Sequence, residues 1–416
     1  MIAMYTRENA LQSGPSPRLT EAGKPPENRR CPLCGSEDLS VFFEMGEVPV
    51  HIGLQWSSRE AARNCPRGDL ELVFCQQCSF IANLAYDPTR LEYAREYDNT
   101  LHFSPFYQEY ARSVADRLIK RYQLYGKEIL EIGCGRGEFL SLLCELGNNR
   151  GVGFDPGCDE SAGGAVGKGQ VAFIKDTYSE RYADYQGDLV CSRYVFEHVP
   201  EPVEFLTGVK RATADRRDAV VYFEVPNVSF VLRDLSVWDL IYEHCSYFSR
   251  GSLARAFAAC DFEVMDLIEA YGGQQLGIEA RPGCGKCTVA ERWRKADELA
   301  PYVVVFAARY QRKLAAWQHR LERMQRVGRR AVLWGAGAKG VSFLNMIEAQ
   351  DAVEYVVDIN PRKQGKYIAG TGQEIVAPEF LREYRPEVVI VMNSIYLDEI
   401  SQTTNHLGLA PAFLCA

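Results

Sequence analysis

The sequence predicts an α/β protein of three domains, in which two parallel sheets follow a small cysteine-containing domain. Two strand–glycine–helix joints, at residues 128–143 and 331–340, carry this prediction, because a glycine turn between an apolar run and a helix typically opens a parallel sheet. The chain has 416 residues, which exceeds the usual size of one domain. The predicted segments are a disordered tail (1–30), a cysteine domain (31–95), a first sheet domain (96–288), a helical connector (289–327) and a second sheet domain (328–416).

Composition argues against several classes of protein. Apolar residues make up 47% and charged residues 25% of the chain, which is ordinary for a globular protein. No apolar run approaches the roughly 18 residues of a membrane span, so we expect no membrane partner. The net charge of −8, without a basic stripe, disfavours a nucleic-acid partner. The 14 cysteines are scattered and residues 1–30 lack a signal-peptide core, so we expect a cytoplasmic protein.

Four cysteines form two C-x-x-C pairs, Cys31 with Cys34 and Cys75 with Cys78. Two thiolates on a tight turn supply half of a tetrahedral zinc site, and a second pair completes it. We therefore predict a structural zinc ion that folds residues 31–95, with four free thiols as the alternative. Cys65 has no C-x-x-C partner, and we do not expect it to bind the metal.

A polar and aromatic stretch, residues 96–105, leads into a predicted helix at residues 106–122. Its position ahead of the first sheet suits a cap over a bound substrate. A packed aromatic loop is the alternative.

The run Glu131-Ile132-Gly133-Cys134-Gly135-Arg136-Gly137 ends the first predicted strand of this sheet. Glycines let a ligand approach the backbone closely, and the following helix offers unpaired N–H groups. Asp155 ends the next strand, where an acid can hold a ribose diol. This pattern resembles the S-adenosylmethionine site of class I methyltransferases, whereas a dinucleotide site would show G-x-G-x-x-G. The resemblance implies a cofactor site at Glu131, Gly133, Gly135, Gly137 and Asp155.

Further strands are predicted along the same sheet. Asp176 follows a strand at residues 171–174 and is placed to meet the adenine amino group. Arg193 lies in a fourth strand, residues 188–194, whose end would face both cofactor and substrate. The remaining strands are predicted at residues 220–227, 262–269 and 276–281, the last two as an antiparallel pair that closes the sheet.

A second informative stretch contains Tyr242-Glu243-His244 and ends in Tyr247-Phe248-Ser249. Here the sequence resembles, over nearly its whole length, the sugar C-methyltransferase family that acts on nucleotide-linked keto-deoxysugars. The resemblance implies a four-cysteine zinc domain, a class I methyltransferase core and a C-terminal Rossmann-like domain. It also implies that His244 is the general base, with Glu243 beside it and Tyr97 in a lid. One motif differs from the family's, because this chain has Tyr271-Gly272-Gly273 where the family has His-Gly-Gly.

Chemistry supports His244 independently of the resemblance. Methylation of carbon requires removal of a proton beside a carbonyl, and a histidine is the usual base near neutral pH. The resulting enolate needs a hydrogen-bond donor, for which Tyr97, Tyr242 or a nearby amide are candidates. His198 lies in a sequence motif that is widespread among methyltransferases that catalyse different reactions, so we predict a structural role for it. A histidine packed under the sheet edge is the alternative interpretation of His244.

Cys284 and Cys287 form a third C-x-x-C pair without a matching partner, and we predict exposed free thiols. Residues 289–327 carry apolar side chains at helical spacing. This spacing predicts a long helix whose apolar stripe packs on its neighbours.

The second glycine joint, residues 331–340, contains G-x-G-x-x-G after a strand, and Asp358 ends the next strand where a nicotinamide ribose would need it. On the motif alone, a bound dinucleotide is favoured. Lys339 within the loop and Asn393 after a later strand match the sugar C-methyltransferase family instead. The resemblance implies that both residues bind the substrate and that the domain uses no redox cofactor.

We therefore expect an enzyme, monomeric or homodimeric, that moves a methyl group from S-adenosylmethionine to carbon of a nucleotide-linked keto-sugar. Its expected cofactors are S-adenosylmethionine and a structural zinc ion, and its expected partner is the sugar substrate. Three alternatives stay open: a methyltransferase of another small metabolite at oxygen, nitrogen or carbon, an RNA methyltransferase, and a non-catalytic zinc-bearing scaffold.

Overall fold

Three β-sheets organise the molecule. The computed structural model of the chain describes residues 29–54, 56–91, 100–182, 184–213, 216, 218–283, 285 and 299–416. Most of the predicted tail, residues 1–28, lies outside these residues. Within the described ranges, no helix combines the length and the apolar character needed to cross a membrane.

The N-terminal sheet has four antiparallel strands, three of them consecutive along the chain. These three strands are β1 (Leu39–Pro49), β2 (Arg67–Cys75) and β3 (Ile81–Asn83), with the short helix α1 (Arg59–Arg63) between the first two. The fourth strand, Ser246–Tyr247, comes from the middle of the chain and pairs with β3. The expected self-contained unit at residues 31–95 is therefore completed by a later segment.

The central sheet has eight strands and confirms the predicted α/β class. Its parallel strands are β4 (Glu128–Ile132), β5 (Arg150–Phe154), β7 (Gly169–Ile174), β8 (Leu189–Arg193) and β9 (Val220–Pro226). Strand β6 (Gly164–Val166) pairs antiparallel with β7 at one edge. At the other edge, β11 (Phe262–Ala270) and β12 (Gln275–Pro282) form the predicted antiparallel pair, with β12 against β9. In this numbering β10 is the strand Ser246–Tyr247.

Five helices accompany the central sheet. They are α2 (Pro105–Tyr122), α3 (Glu138–Gly147), α4 (Pro202–Arg211), α5 (Val228–Asp234) and α6 (Arg250–Ala259). Helix α2 begins where the sequence indicates, because the Ser104 side chain caps it by accepting from the Tyr107 N–H and Pro105 occupies the first helical position.

The connector is a long helix, α7 (Ala300–Arg326), as the sequence predicts for the part that the structure describes. Its apolar stripe is buried at Val303, Phe306, Tyr310, Trp317, Leu321 and Met324. Phe306 packs edge-on against Phe43 of the N-terminal sheet, and Trp317 packs against Phe343 of the C-terminal part. The helix therefore joins the first and third sheets through one shared hydrophobic core, and the domain boundaries stay predictions.

The C-terminal sheet has five parallel strands and is Rossmann-like, as predicted. The strands are β13 (Ala331–Trp334), β14 (Val353–Val357), β15 (Glu374–Val376), β16 (Val388–Val391) and β17 (Ala412–Cys415). The helices are α8 (Ala338–Met346), α9 (Leu381–Tyr384) and α10 (Leu397–His406). Strands β13 and β16 are apolar and buried on both faces, as parallel strands usually are.

Candidate functional site

Two turns bring four cysteine thiols together at one end of the N-terminal sheet. The distance between Sγ atoms is 3.6 Å from Cys31 to Cys78 and 3.6 Å from Cys34 to Cys75, and all four lie within 4.8 Å of one another. Zn–S bonds of about 2.3 Å in a tetrahedron put sulfurs roughly 3.8 Å apart. The thiols are thus spaced as a zinc ion would require. Cys65 is not among them and packs in the shared hydrophobic core.

The first glycine loop follows β4, and its three glycines have positive φ angles of 71°, 56° and 82° at Gly133, Gly135 and Gly137. A Cβ added to Gly133 would come within 2.1 Å of Val195, and one added to Gly137 within 2.2 Å of Phe173. Packing inside the protein, rather than a ligand, therefore requires these two glycines. A Cβ on Gly135 would meet no atom within 4 Å, so this position has open space for a ligand. Cofactor contact by each of the three glycines stays a prediction.

Two carboxyl groups flank this loop, one buried and one half-buried. Glu131 on β4 is 3% exposed, and its Oε2 has no hydrogen-bond partner among the described residues. Burial raises the pKa of Glu131 to about 8. Asp155, directly after β5, accepts hydrogen bonds from the Gly135 N–H at 2.9 Å and the Gly157 N–H at 2.7 Å. Burial also raises the pKa of Asp155, against these two bonds. Asp155 thus fixes the backbone of the loop. The Glu131 Oε2 beside the loop has no hydrogen-bond partner among the described residues.

The other two predicted cofactor residues are engaged within the protein. Asp176, after β7, forms an ion pair with Arg181 and accepts a hydrogen bond from the Tyr182 hydroxyl at 2.6 Å. Arg193, at the end of β8, is buried and pairs with Glu224 at 3.1 Å. Contact of either residue with the cofactor stays a prediction.

A tyrosine network around Glu224 was not anticipated from the sequence. The hydroxyls of Tyr110, Tyr194 and Tyr222 donate to the Glu224 carboxylate at 2.8, 2.5 and 2.9 Å. Tyr194 has a φ of 60°, a strained conformation for a non-glycine residue that is often found near functional sites. The network therefore fixes the ends of β8 and β9 beside the glycine loop. Tyr110 and Tyr194 lie 114 and 30 residues from Glu224 along the chain, so no local pattern marks their contact with it.

Two histidines meet beyond the end of β8. His198 ends the short 3-10 turn Phe196–His198, and His244 lies two residues before the start of β10. Their ring centroids are 5.0 Å apart and their planes are nearly perpendicular, at 73°. The Nδ1 of His198 donates to the Glu243 backbone carbonyl at 2.9 Å, since a carbonyl only accepts. The sequence pointed to His244 alone, whereas the structure pairs it with His198.

Surroundings keep both rings neutral. Burial lowers the pKa of His198 to about 4. Burial, the nearby His198 and the Lys339 ammonium hold the pKa of His244 well below its usual range, although a hydrogen bond to the Asp239 backbone opposes them. A neutral ring bonded at one nitrogen keeps a lone pair on the other nitrogen, which is the form required of a base.

The carboxyl group beside these rings is Glu197, not the expected Glu243. Glu197, His198 and His244 each place one oxygen or nitrogen atom within 4.8 Å of the others, and Glu243 is not part of this cluster. The Glu243 carboxylate instead accepts the Ile52 N–H at 3.0 Å. Expectation and structure differ because the side chains of Glu243 and His244 diverge where the chain leaves the turn at Tyr242 and Glu243.

Tyr242 also contacts the N-terminal part of the chain. Its hydroxyl accepts the Asp87 N–H at 2.9 Å, and its ring lies 5.8 Å from that of Tyr86. A Cβ on Gly68 would collide with the Tyr242 ring. Tyr242 thus helps to hold the N-terminal segment in place, and its role as an enolate donor stays a prediction.

The second glycine loop is supported by an acid, as the first is, and its lysine extends away from the loop. Asp358, after β14, accepts the Ala336 N–H at 2.8 Å and the Asn360 N–H at 2.8 Å. Lys339 reaches across to the central sheet region, where its Nζ pairs with Asp239 and lies 3.1 Å from the Ser236 hydroxyl. Because Asp239 also bonds His244 through its backbone, the loop is connected to the histidine pair.

Asn393 and its neighbours join the C-terminal sheet to the central one. The side-chain amides of Asn393 and Gln274 exchange two hydrogen bonds, each of 2.9 Å. The hydroxyls of Tyr271 and Tyr396 bond each other across the same boundary. Substrate contact by Asn393 or Lys339 therefore stays a prediction.

The segment before α2 lies against the first glycine loop's helix. Thr100 donates to the Glu138 carboxylate at 3.2 Å, and the His102 ring packs edge-on against Tyr107 at 5.1 Å. A role of this segment as a cap over the substrate stays a prediction. Tyr97, assigned to the lid from the sequence, lies outside the described residues, as do Cys284 and Cys287.

Two regions of the chain match known protein families, and nearly the whole chain is similar to one known enzyme. Residues 107–267 match the family described as a methyltransferase domain, and residues 275–410 match the family described as the C-methyltransferase C-terminal domain. The C-methyltransferase NovU of Streptomyces niveus is 24% identical over 390 residues, covering 89% of this chain and 90% of that protein.

Two solved methyltransferases are similar to part of the chain. The magnesium protoporphyrin IX methyltransferase of Synechocystis PCC 6803, solved with bound SAH, aligns with a TM-score of 0.33 and 17% identity over 43% of this chain and 84% of that chain. The 1,6-didemethyltoxoflavin-N1-methyltransferase of Burkholderia thailandensis aligns with a TM-score of 0.32 and 14% identity over 43% of this chain and 81% of that chain.

The two family matches fall on the central and the C-terminal sheet, and the C-methyltransferase similarity extends over nearly the whole chain. A glycine loop with flanking acids and a neutral histidine pair at the ends of the strands are consistent with both. The chain is an S-adenosylmethionine-dependent C-methyltransferase.

Proposed function

We propose that this enzyme transfers the methyl group of S-adenosylmethionine to the carbon next to a ketone of a nucleotide-linked deoxysugar. The class of substrate rests on the resemblance of residues 242–249 to the sugar C-methyltransferase family, and the similarity to a C-methyltransferase over nearly the whole chain supports it. In the proposed reaction His244 removes the α-proton, the C–H electrons move to the ketone oxygen as an enolate, and the carbon attacks the methyl group.

The placement of His244 beside His198 beyond the end of β8, with ring centroids 5.0 Å apart, is the observation that carries this proposal. A ring kept neutral by burial, by His198 and by Lys339 has a lone pair ready at physiological pH. The Asp239 backbone bond fixes the ring orientation, as a general base requires. A base of low pKa is a weak base, so stabilisation of the enolate and of the protonated ring must supply much of the rate.

We assign the cofactor to the first glycine loop. Gly135 has open space where a Cβ would lie, and Asp155 holds the Gly135 N–H. Glu131 supplies an unpartnered carboxyl oxygen, which suits a ligand that carries positive charge. Asp155 would hold the ribose and Asp176 the adenine, with Arg193 bordering the site as predicted.

We assign a structural zinc ion to Cys31, Cys34, Cys75 and Cys78. The 3.6 Å sulfur separations support it, and a four-thiolate site has no open position for chemistry. Metal analysis should find one zinc per chain. Serine substitutions at Cys31 and Cys34 should remove the metal and unfold the N-terminal sheet, whereas Cys65→Ser should retain it. Zinc-free wild-type protein that keeps this sheet would contradict the assignment.

The substrate is tested by incubation with S-adenosylmethionine and a panel of keto-sugar nucleotides, read by mass. One product heavier by a methyl group identifies the sugar. Methylation of a metabolite without a nucleotide, and of no panel member, would favour the alternative small-molecule enzyme.

The base is tested with His244→Asn, which keeps hydrogen bonding and removes basicity. Both ligands should still bind, and turnover should fall roughly 10²–10⁴-fold, the range of a lost general base. With S-adenosylhomocysteine in place of the methyl donor, the variant should also fail to exchange the substrate α-proton with deuterated water. His198→Asn should have a smaller effect. Exchange retained in His244→Asn but lost in His198→Asn would identify His198 as the base.

A further inference from the structure

Glu197 is a buried acid that the mechanism above does not use. It lies in the turn Phe196–His198, is 3% exposed, and its Oε2 has no hydrogen-bond partner among the described residues. An unpaired buried carboxyl oxygen is costly. Such an atom in a native site calls for a functional explanation.

The backbone aims this carboxyl group at the histidines. The Glu197 carbonyl accepts the Cys245 N–H at 3.0 Å and lies 3.6 Å from the Cys245 Sγ. Because Cys245 follows His244 directly, this contact ties the turn to the segment that carries the base. The carboxyl oxygen of Glu197 and a ring nitrogen of His244 lie within 4.8 Å of each other.

Among the described residues, Glu197 is the carboxyl group placed beside His244 to compensate a new positive charge. His198 and the Lys339 ammonium both disfavour protonation of the ring. The Asp239 carboxylate is already paired with Lys339, and the Glu243 carboxylate accepts the Ile52 N–H. Glu197 itself faces His198, Glu224 and Cys245.

We propose that Glu197 is the positioning acid of this reaction, whose ionised carboxylate stabilises His244 after it has taken the proton from carbon. The inference rests on the proposed function of His244. When the C–H bond breaks, the proton binds to the His244 nitrogen and the electron pair becomes the enolate. Glu197 then forms an ion pair with the imidazolium, and after methyl transfer the proton leaves through this pair to solvent.

Kinetics of Glu197→Gln provide the first test. The amide keeps the shape and removes the charge, so kcat should fall roughly 10–100-fold while KM and the affinity for S-adenosylmethionine stay within about twofold. The wild-type kcat should rise with pH as the carboxyl ionises, and this pH dependence should vanish in Glu197→Gln. Glu197→Asp should retain the pH dependence and part of kcat. Glu243→Gln is the matched control, and it should keep the pH dependence.

Titration of the His244 ring by NMR, with S-adenosylhomocysteine bound, needs no substrate. The ring signals should move as Glu197 ionises in wild type, and this step should be absent from Glu197→Gln, with Glu197→Asp serving if the amide variant does not fold. A wild-type ring without this step would overturn the inference even if a keto-sugar is methylated, whereas the step without any sugar product would overturn only the proposed function. Addition of Mn²⁺ or Mg²⁺ should not change kcat. If the metal ion raises kcat and Glu197→Gln abolishes this increase, Glu197, His198 and His244 bind a metal. That result would also overturn the inference.

Discussion

The two glycine loops of this chain share one local construction and differ in what reaches them. In each, the acid after the second strand accepts an N–H of the loop: Asp155 holds Gly135 at 2.9 Å, and Asp358 holds Ala336 at 2.8 Å. In each, the acid also accepts an N–H two residues further on. The acid therefore supports the loop itself, and its position does not reveal which ligand the loop binds.

The surroundings separate the two loops. Among the described residues, the Glu131 Oε2 beside the first loop has no hydrogen-bond partner, whereas the carbonyl of Ala336 in the second accepts from the buried Lys363 ammonium at 3.2 Å. Lys339 extends from the second loop to Asp239. The first loop thus keeps groups for a ligand, and the second uses its side chains to join the C-terminal sheet to the region of the histidine pair.

The largest effect should come from Gly135→Val. A branched side chain at a φ of 56° is strained by roughly 1–2 kcal/mol and would fill the open space at the first loop. We expect S-adenosylmethionine affinity to fall by about 100-fold or more, equivalent to roughly 2.8 kcal/mol, with zinc content unchanged. Calorimetry measures it. Gly126→Val, which has the same handedness of φ and no neighbour within 4 Å, is the control and should bind normally.

The pH dependence of cofactor binding should distinguish the loops next. Burial raises the pKa of Glu131 to about 8, so the free protein carries this proton at neutral pH. S-adenosylmethionine is a cation and favours the carboxylate, so binding releases the proton. Affinity should therefore increase as pH rises to about 8, by up to about tenfold per pH unit, and then level off. Calorimetry in buffers of different ionisation enthalpy detects the proton, and Glu131→Gln should remove the slope.

Lys339→Met should have an intermediate effect. Loss of the ammonium leaves Asp239 unpaired and loosens the turn that bonds His244, so we expect kcat to fall about tenfold with cofactor affinity unchanged. Lys339→Arg keeps the charge and should retain most of the activity. A rise in KM for the sugar without a change in kcat would instead support the substrate-binding role expected from the sequence.

The smallest expected effect is that of NAD. A dinucleotide bound at the second loop would raise the melting temperature by mass action, by about 2.7 kcal/mol of stability at 100 times its Kd. We expect no measurable shift with NAD and a clear shift with S-adenosylmethionine in the same assay. An NAD-dependent rise that Gly337→Val removes would make the second loop a dinucleotide site.

Features with a local spacing were predictable from the sequence. Helix α2, the strands around both glycine loops, the antiparallel edge pair and the stripe of α7 follow from periodicity, caps and turns, which depend on neighbours along the chain. The two C-x-x-C pairs likewise predicted four thiols close enough to bind one metal ion. The α/β class followed from these signals together.

Which side chains contact each other was decided by the tertiary structure alone. The sequence placed Glu243 beside His244, yet its carboxylate bonds Ile52, 191 residues away, while Glu197 takes the place beside the ring. The motif of the second loop indicated a dinucleotide, yet Lys339 pairs with Asp239, 100 residues away. A side chain's direction is set by packing between elements, and residue spacing along the chain contains no information about contacts over such separations.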